Sequence, residues 1–161
     1  MAKTHKTSID LDGETREQII TLLNQQLADT FDLYSQTKQA HWNVKGMQFI
    51  QLHELFDQLA GELLPYVDDM AERATTLGGT ALGTARMASA ASRLPEYPAN
   101  AFGSQESVAA LVERYAALAA STRAAIDTSG NLGDADTADL FTGISRGLDK
   151  SLWFLEAHLQ A

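Results

Sequence analysis

Apolar residues return at helical intervals along almost the whole chain. Ile20, Leu27, Tyr34 and His41 recur every seven residues, with Leu23 and Phe31 beside them. This predicts a first helix over about residues 14–44, with one face turned to a core. Asp12 and Thr15 are both candidate caps at its start, and Gly46 marks its end. Phe49, Phe56, Leu63, Met70 and Leu77 repeat the interval, flanked by Leu52 and Leu59. They predict a second helix over about residues 49–77, closed by Gly78 and Gly79. Pro65 lies inside it, and an interior proline loses a backbone hydrogen bond and usually kinks a helix. The stripe nevertheless continues in register on both sides, so one helix is expected.

The next connection, residues 78–103, carries Pro95 and Pro98 and is too long for a simple turn. Residues 83–91 within it could form a short extra helix. A third long helix opens at Ser104 and carries Val108, Leu111, Val112, Tyr115, Leu118, Thr122 and Ile126. Gly130 and Gly133 bracket a loop. A fourth opens near residues 134–136 and carries Phe141, Ile144, Leu148, Leu152, Leu155 and Leu159. Four such helices make an all-α bundle, and the long middle connection can cross it, so that helices two and three run parallel.

Composition narrows the chemistry. A chain of 161 residues with 45% apolar content suits one folded domain, expected over residues 14–161 behind an N-terminal tail of residues 1–13. There is no cysteine, so any metal site must use His, Asp or Glu. No apolar run approaches the roughly 20 residues of a membrane span. The first residues lack the apolar stretch of a signal peptide, so the cytoplasm is the expected compartment. The net charge of −9 repels nucleic acid and attracts cations. Only Lys3, His5 and Lys6 run against it. They form either an ordinary frayed terminus or a short DNA-contacting arm.

The second helix carries the distinctive pattern. With His53 at zero, Asp57 falls near +40°, Asp68 near +60° and Glu72 near +100° around the helix. The apolar line falls between about −40° and −100°. Ala60, Leu64 and Ala71 share the arc of the ionisable groups, which therefore reads as a contact surface. His53 and Asp57 are one turn apart, as are Asp68 and Glu72. The two pairs are separated by roughly 22 Å along the axis, so one metal centre cannot use both pairs of one helix. They can meet if a second copy packs antiparallel across a two-fold axis, which creates two equivalent sites. His41 continues the inward stripe of the first helix and joins them. Two imidazoles and three carboxylates suit iron, with zinc and manganese as competitors on ligand type.

Each signal also has an ordinary reading. A histidine on an apolar stripe is more often a hydrogen-bonded core residue, and an Asp-x-x-x-Glu pair is usually a solvated face. Trp42 could pass an electron to a radical formed nearby, or simply pack, and the same holds for Trp153. Di-iron bundles that keep every ligand inside one bundle carry Glu-x-x-His on two helices. No Glu-x-x-His occurs here, which favours a shared site.

The stretches KQAHWNVKG, FIQLHELFD and DDMAERATTLGG, followed by ALGT, DADTADLF and LDKSLWFLE, resemble the Dps family of ferritin-like mini-ferritins over nearly the whole chain. The resemblance implies a four-helix subunit with a short helix in the long connection, and twelve subunits forming a hollow shell. It implies oxidation of Fe(II), preferably by hydrogen peroxide rather than dioxygen, and storage of ferric mineral. The family's iron ligands correspond to His41, His53, Asp57, Asp68 and Glu72, in a centre between two subunits. It also implies acidic pores, for which Asp134, Asp136 and Asp139 are candidates. Asp136 and Asp139 could equally be the cap and first turn of the fourth helix. Glu54 and Glu62 are candidates for mineral nucleation or solvated surface. DNA-binding members use lysine-rich tails. This chain offers only Lys3 and Lys6, so weak or absent DNA binding is expected at physiological salt.

Overall fold

The computed structural model describes residues 4–160. The elements are α1 (Gly13–Asn43), α2 (Phe49–Thr76), α3 (Ala85–Ala91), α4 (Ser104–Asn131) and α5 (Ala135–Glu156). Asp12, not Thr15, caps α1. One carboxylate oxygen accepts from the Thr15 N–H at 2.9 Å and the other from the Thr15 hydroxyl at 2.8 Å. Those bonds hold the Asp12 carboxyl below its ordinary range. α1 closes at Val44, and Gly46 turns the chain with φ +117°, a left-handed conformation that suits glycine. α2 runs unbroken through Pro65. α3 lies inside the expected 83–91 segment, capped by Thr84.

Side-chain contacts fix the helix directions. His41 stacks on His53 at one end of α1, and Ile20 lies against Gly79 at the other, so α1 and α2 are antiparallel. Gln36 bonds Arg114 at 2.7 Å and Gln26 bonds Thr122 at 3.4 Å, so α1 and α4 are antiparallel too. α2 and α4 therefore run parallel, as the long crossover allows. Arg73 meets Asp134, and Glu62 meets Ser151, which sets α5 antiparallel to α2. Leu23, Leu27, Phe56, Leu63, Tyr115, Leu118, Phe141 and Leu148 fill the space between the four long helices and are fully buried. No described helix is long and apolar enough to cross a membrane.

Polar ties hold the crossover against the bundle. Buried Asp29 accepts from the Arg93 backbone N–H at 2.8 Å and from its guanidinium Nε at 2.9 Å. Ser92 donates to Asp32. Buried Arg114 donates to Gln36 and to the Glu96 carbonyl. At the far end the Lys45 N–H donates to the Phe102 carbonyl at 2.8 Å, which joins the crossover to the α1–α2 turn.

Two expectations are corrected. The described part of the tail is docked rather than frayed. The His5 N–H donates to the Gly78 carbonyl at 2.7 Å, and Ile9 and Leu11 pack against the core. Arg16 donates to the Leu11 and Leu77 carbonyls, clasping both sides. Gly78 is needed there, because it has φ +86° and a Cβ would lie 2.5 Å from the His5 carbonyl oxygen. Asp134, a pore candidate, is 2% exposed within the subunit and is the residue that caps α5, the role offered above to Asp136 and Asp139. Its oxygens accept from the Thr137 N–H at 3.1 Å, the Thr137 hydroxyl at 2.6 Å and Arg73 at 2.7 Å. It is a structural residue because burial demands that all these lone pairs be satisfied.

Asp134→Ala removes a cap and leaves a largely buried guanidinium without its carboxylate. The expected cost is about 3 kcal/mol of subunit stability, read as a lower urea midpoint with unchanged slope.

Candidate metal centre

The α1–α2 turn is short, so the last turn of α1 lies directly against the first turns of α2. His41 is buried and His53 half-buried. Their rings stack with centroids 3.8 Å apart and planes 21° from parallel. Phe49 packs on the other side of His53, at 5.1 Å. Each imidazole also reaches the other's backbone. His41 Nδ1 lies 2.7 Å from the His53 carbonyl oxygen, and His53 Nδ1 lies 2.9 Å from the His41 carbonyl oxygen. A carbonyl only accepts, so both Nδ1 atoms carry the proton and donate. In the neutral rings both Nε2 atoms then keep their lone pairs. That is the tautomer a metal ligand needs, held by the kind of outer hydrogen bond that orients ligating histidines.

Asp57 lies one turn beyond His53 on the exposed side of α2. Lys38, from α1, donates to it at 2.6 Å. That hydrogen bond, then the ammonium charge, holds the Asp57 carboxyl below its ordinary 3.8. Asp57 is therefore an anion at any working pH, but its partner is an ammonium standing where a cation would sit. Lys38 also lies 5.7 Å above the Trp42 ring. Trp42 is 65% exposed, so the reading of it as a packed aromatic fails within the chain, and Trp153 at 60% is likewise exposed.

Asp68 and Glu72 are exposed further along α2, with no carboxylate bond to another described residue. The chain thus brings His41, His53 and Asp57 into one neighbourhood and leaves Asp68 and Glu72 about four turns away. Among the described residues no group of three His, Asp or Glu side chains is placed to hold a metal within one chain. The donor set is that of a hard-to-borderline cation such as iron, but one chain carries it only in two parts.

The other candidates scatter. Asp139 and Asp136 are exposed near the start of α5, with Asp136 3.8 Å from Arg73. Glu54 is exposed, whereas Glu62 is half-buried and bonded to Gln58 at 2.8 Å and Ser151 at 3.5 Å. Lys6 is exposed on the docked tail. Lys3 lies outside the described residues. Sequence reasoning missed Lys38, although its position one turn before His41 places it on the same helix face. It also missed Arg73, whose partners come from α5 and leave no local signature.

The model of the ferritin-like domain matches residues 20–161. The chain is 49% identical over 158 residues to the DNA protection during starvation protein of Agrobacterium fabrum, covering 98% of each chain. It is 32% identical to the protein of the same name from Brevibacillus brevis, covering 96% of this chain and 99% of the relative. DpsC from Streptomyces coelicolor superposes with TM-score 0.93 at 31% identity, covering 99% of this chain and 93% of that one. Mycobacterium smegmatis Dps gives TM-score 0.93 at 31% identity, covering 99% and 96%. An α1–α2 pair presenting two imidazoles, a five-helix order with one crossover, and these likenesses over the full length agree: the chain belongs to the Dps family of ferritin-like proteins.

Proposed function

We propose that this protein is a ferroxidase and iron store of the cytoplasm. In this reading His41, His53 and Asp57 of one subunit meet Asp68 and Glu72 of a two-fold neighbour, and the centres so formed oxidise Fe(II). The observation that carries it is the reciprocal imidazole–carbonyl pairing, which spends Nδ1 of both rings on the backbone and leaves Nε2 of each neutral ring available to a metal. The working domain is the bundle of residues 14–161. Twelve subunits enclose the mineral, as the family resemblance implies. Iron is the substrate and cargo, and zinc or manganese compete on donor type.

The preferred oxidant is hydrogen peroxide, with dioxygen the slower alternative. Two Fe(II) each give one electron to one peroxide, whose O–O bond breaks. With two further waters, the products are two ferric oxyhydroxide units and four protons. A paired two-electron transfer avoids the hydroxyl radical that one-electron reduction would release, and this protects DNA. Carboxylates offset the growing positive charge, and the imidazoles complete coordination. Trp42, exposed beside Lys38, is placed to give an electron to a stray oxidant. Asp139 remains a candidate for the iron entry path, and Glu54 and Glu62 for nucleation.

The name of these relatives concerns DNA protection, but direct DNA binding is expected to be weak or absent here. The described part of the tail is tied to Gly78, residues 1–13 carry only Lys3 and Lys6, and the net charge of the chain is −9. Gel retardation of plasmid DNA at about 150 mM salt should show little binding, and tight retention would refute this.

A mixing experiment tests the shared centre. His41→Ala and Asp68→Ala homo-oligomers should each oxidise iron at least tenfold more slowly than wild type. Dissociated and reassembled together, they should regain about a quarter of the sites, because each mixed two-fold contact pairs one intact set of half-sites. No recovery in properly mixed assemblies, or a wild-type rate in either single variant, would sink the assignment.

Lys38→Met should raise the Asp57 pKa back toward 3.8, seen in a carboxyl NMR titration. It should also tighten the first Fe(II) binding step severalfold under anaerobic titration, since a cation no longer has to displace the ammonium.

A further inference from the structure

The exposed side of α2 is a clean arc. Asp57, Gly61, Leu64, Pro65, Asp68 and Glu72 are all exposed, and they fall between about +20° and +120° when His53 is at zero. Two of them make no sense for a lone subunit. Gly61 sits mid-helix, where glycine is destabilising relative to alanine. Nothing in the chain requires it, because a Cβ there would meet no atom within 4 Å and its φ is not positive. Leu64, one turn on, is a large apolar side chain left 44% exposed.

The candidate ligands supply the register. If His53 meets the neighbour's Glu72 and Asp57 meets its Asp68, both pairings share one midpoint, between Glu62 and Leu63. Gly61 and Leu64 are symmetric about that same midpoint. In an antiparallel pair, Leu64 of each copy therefore stands at the height of Gly61 on the other. The end of the arc near His53 carries the Lys38 ammonium beside the Asp57 and Glu54 carboxylates, and antiparallel stacking turns that ammonium toward the neighbour's Asp68 and Glu72.

From this we infer that Gly61 and Leu64 form the close contact at the two-fold axis between two copies of this chain. They are positioning residues that set how near the two halves of each metal centre approach. Glycine removes the side chain that would hold the helices apart, and the partner's Leu64 fills the space left beside it. The inference rests on the shared-centre reading for its register. Pro65 adds a feature at the same place. It has no N–H to offer the Gly61 carbonyl four residues earlier, so the usual helical partner of that acceptor is missing beside the contact.

The test uses the full-length protein with chelator present, so that association is read apart from metal. Gly61→Leu should keep its helical circular dichroism, because the added side chain has open space in the subunit. In sedimentation velocity its self-association should be at least tenfold weaker than wild type. Combining Gly61→Leu with Leu64→Gly restores one leucine and one glycine at symmetric heights, and should recover association to within threefold. Anaerobic Fe(II) affinity should fall and recover in parallel. Wild-type association of Gly61→Leu overturns the inference, including the case where only its melting temperature falls, as a role in easing the Pro65 region would give. A weak single variant that the exchange fails to rescue, with both folded, also overturns it. The ligand reading fails separately. Asp68→Ala oxidising iron at the wild-type rate would refute that reading while leaving the association result to stand on its own.

Discussion

A continuous α-helix holds its residues at a constant rise, and α2 is continuous across Pro65. Everything about the candidate centre depends on that. The imidazole end and the carboxylate end of the same helix cannot approach each other, however well each is formed. In the proposed reading a subunit carries two unlike half-sites, and the chemistry belongs to the contact between copies. The fold supports this division by leaving one arc of α2 out of the bundle. The opposite arc supplies Leu52, Phe56, Leu59, Leu63 and Met70 to the core.

At one end of α2 the exchange of hydrogen bonds between His41 and His53 does two things. It ties the close of α1 to the opening of α2, and it selects the neutral tautomer of both rings. A histidine in a core usually spends both nitrogens on the protein. Here the backbone takes one nitrogen from each and leaves the other. Lys38 then shapes the electrostatics. It keeps Asp57 ionised and occupies it, so the carboxylate is not left as an uncompensated anion beside the imidazoles. Under the proposed function, cation binding there is an exchange of one positive charge for another.

The rest of the chain keeps these pieces in register. Asp29 with Arg93, and Arg114 with Gln36 and the Glu96 carbonyl, pin a crossover that has little regular structure of its own. The bond from Lys45 to Phe102 fastens that crossover to the turn between the two histidines. Arg73 and Asp134 close the opposite end, where α2 meets the cap of α5. The docked tail then seals the α2 terminus through Gly78. Asp29, Arg114 and Asp134 are buried in these ties, whose value lies in leaving those polar groups paired.

The helices, their order and the arc of ionisable residues on α2 were legible in the sequence, because each depends on spacing along one helix. His53, Asp57, Asp68 and Glu72 could be placed on one face by rotation alone, and the incompatibility of the two pairs by rise alone. The tautomer of the histidines was not legible, since it depends on carbonyls brought in from the facing helix. Nor was Lys38 at Asp57, which needs α1 laid against α2. Asp134 was a pore candidate through the resemblance alone, and nothing local marked it as the cap of α5. Its burial came from Arg73, sixty-one positions away. The tail read as frayed because its anchor, Gly78, lies at the end of another helix. Local periodicity determined the elements and their faces. Tertiary structure decided which polar groups were already spent and which were left free for a ligand or a partner, since hydrogen-bond satisfaction is a property of neighbours distant in the chain.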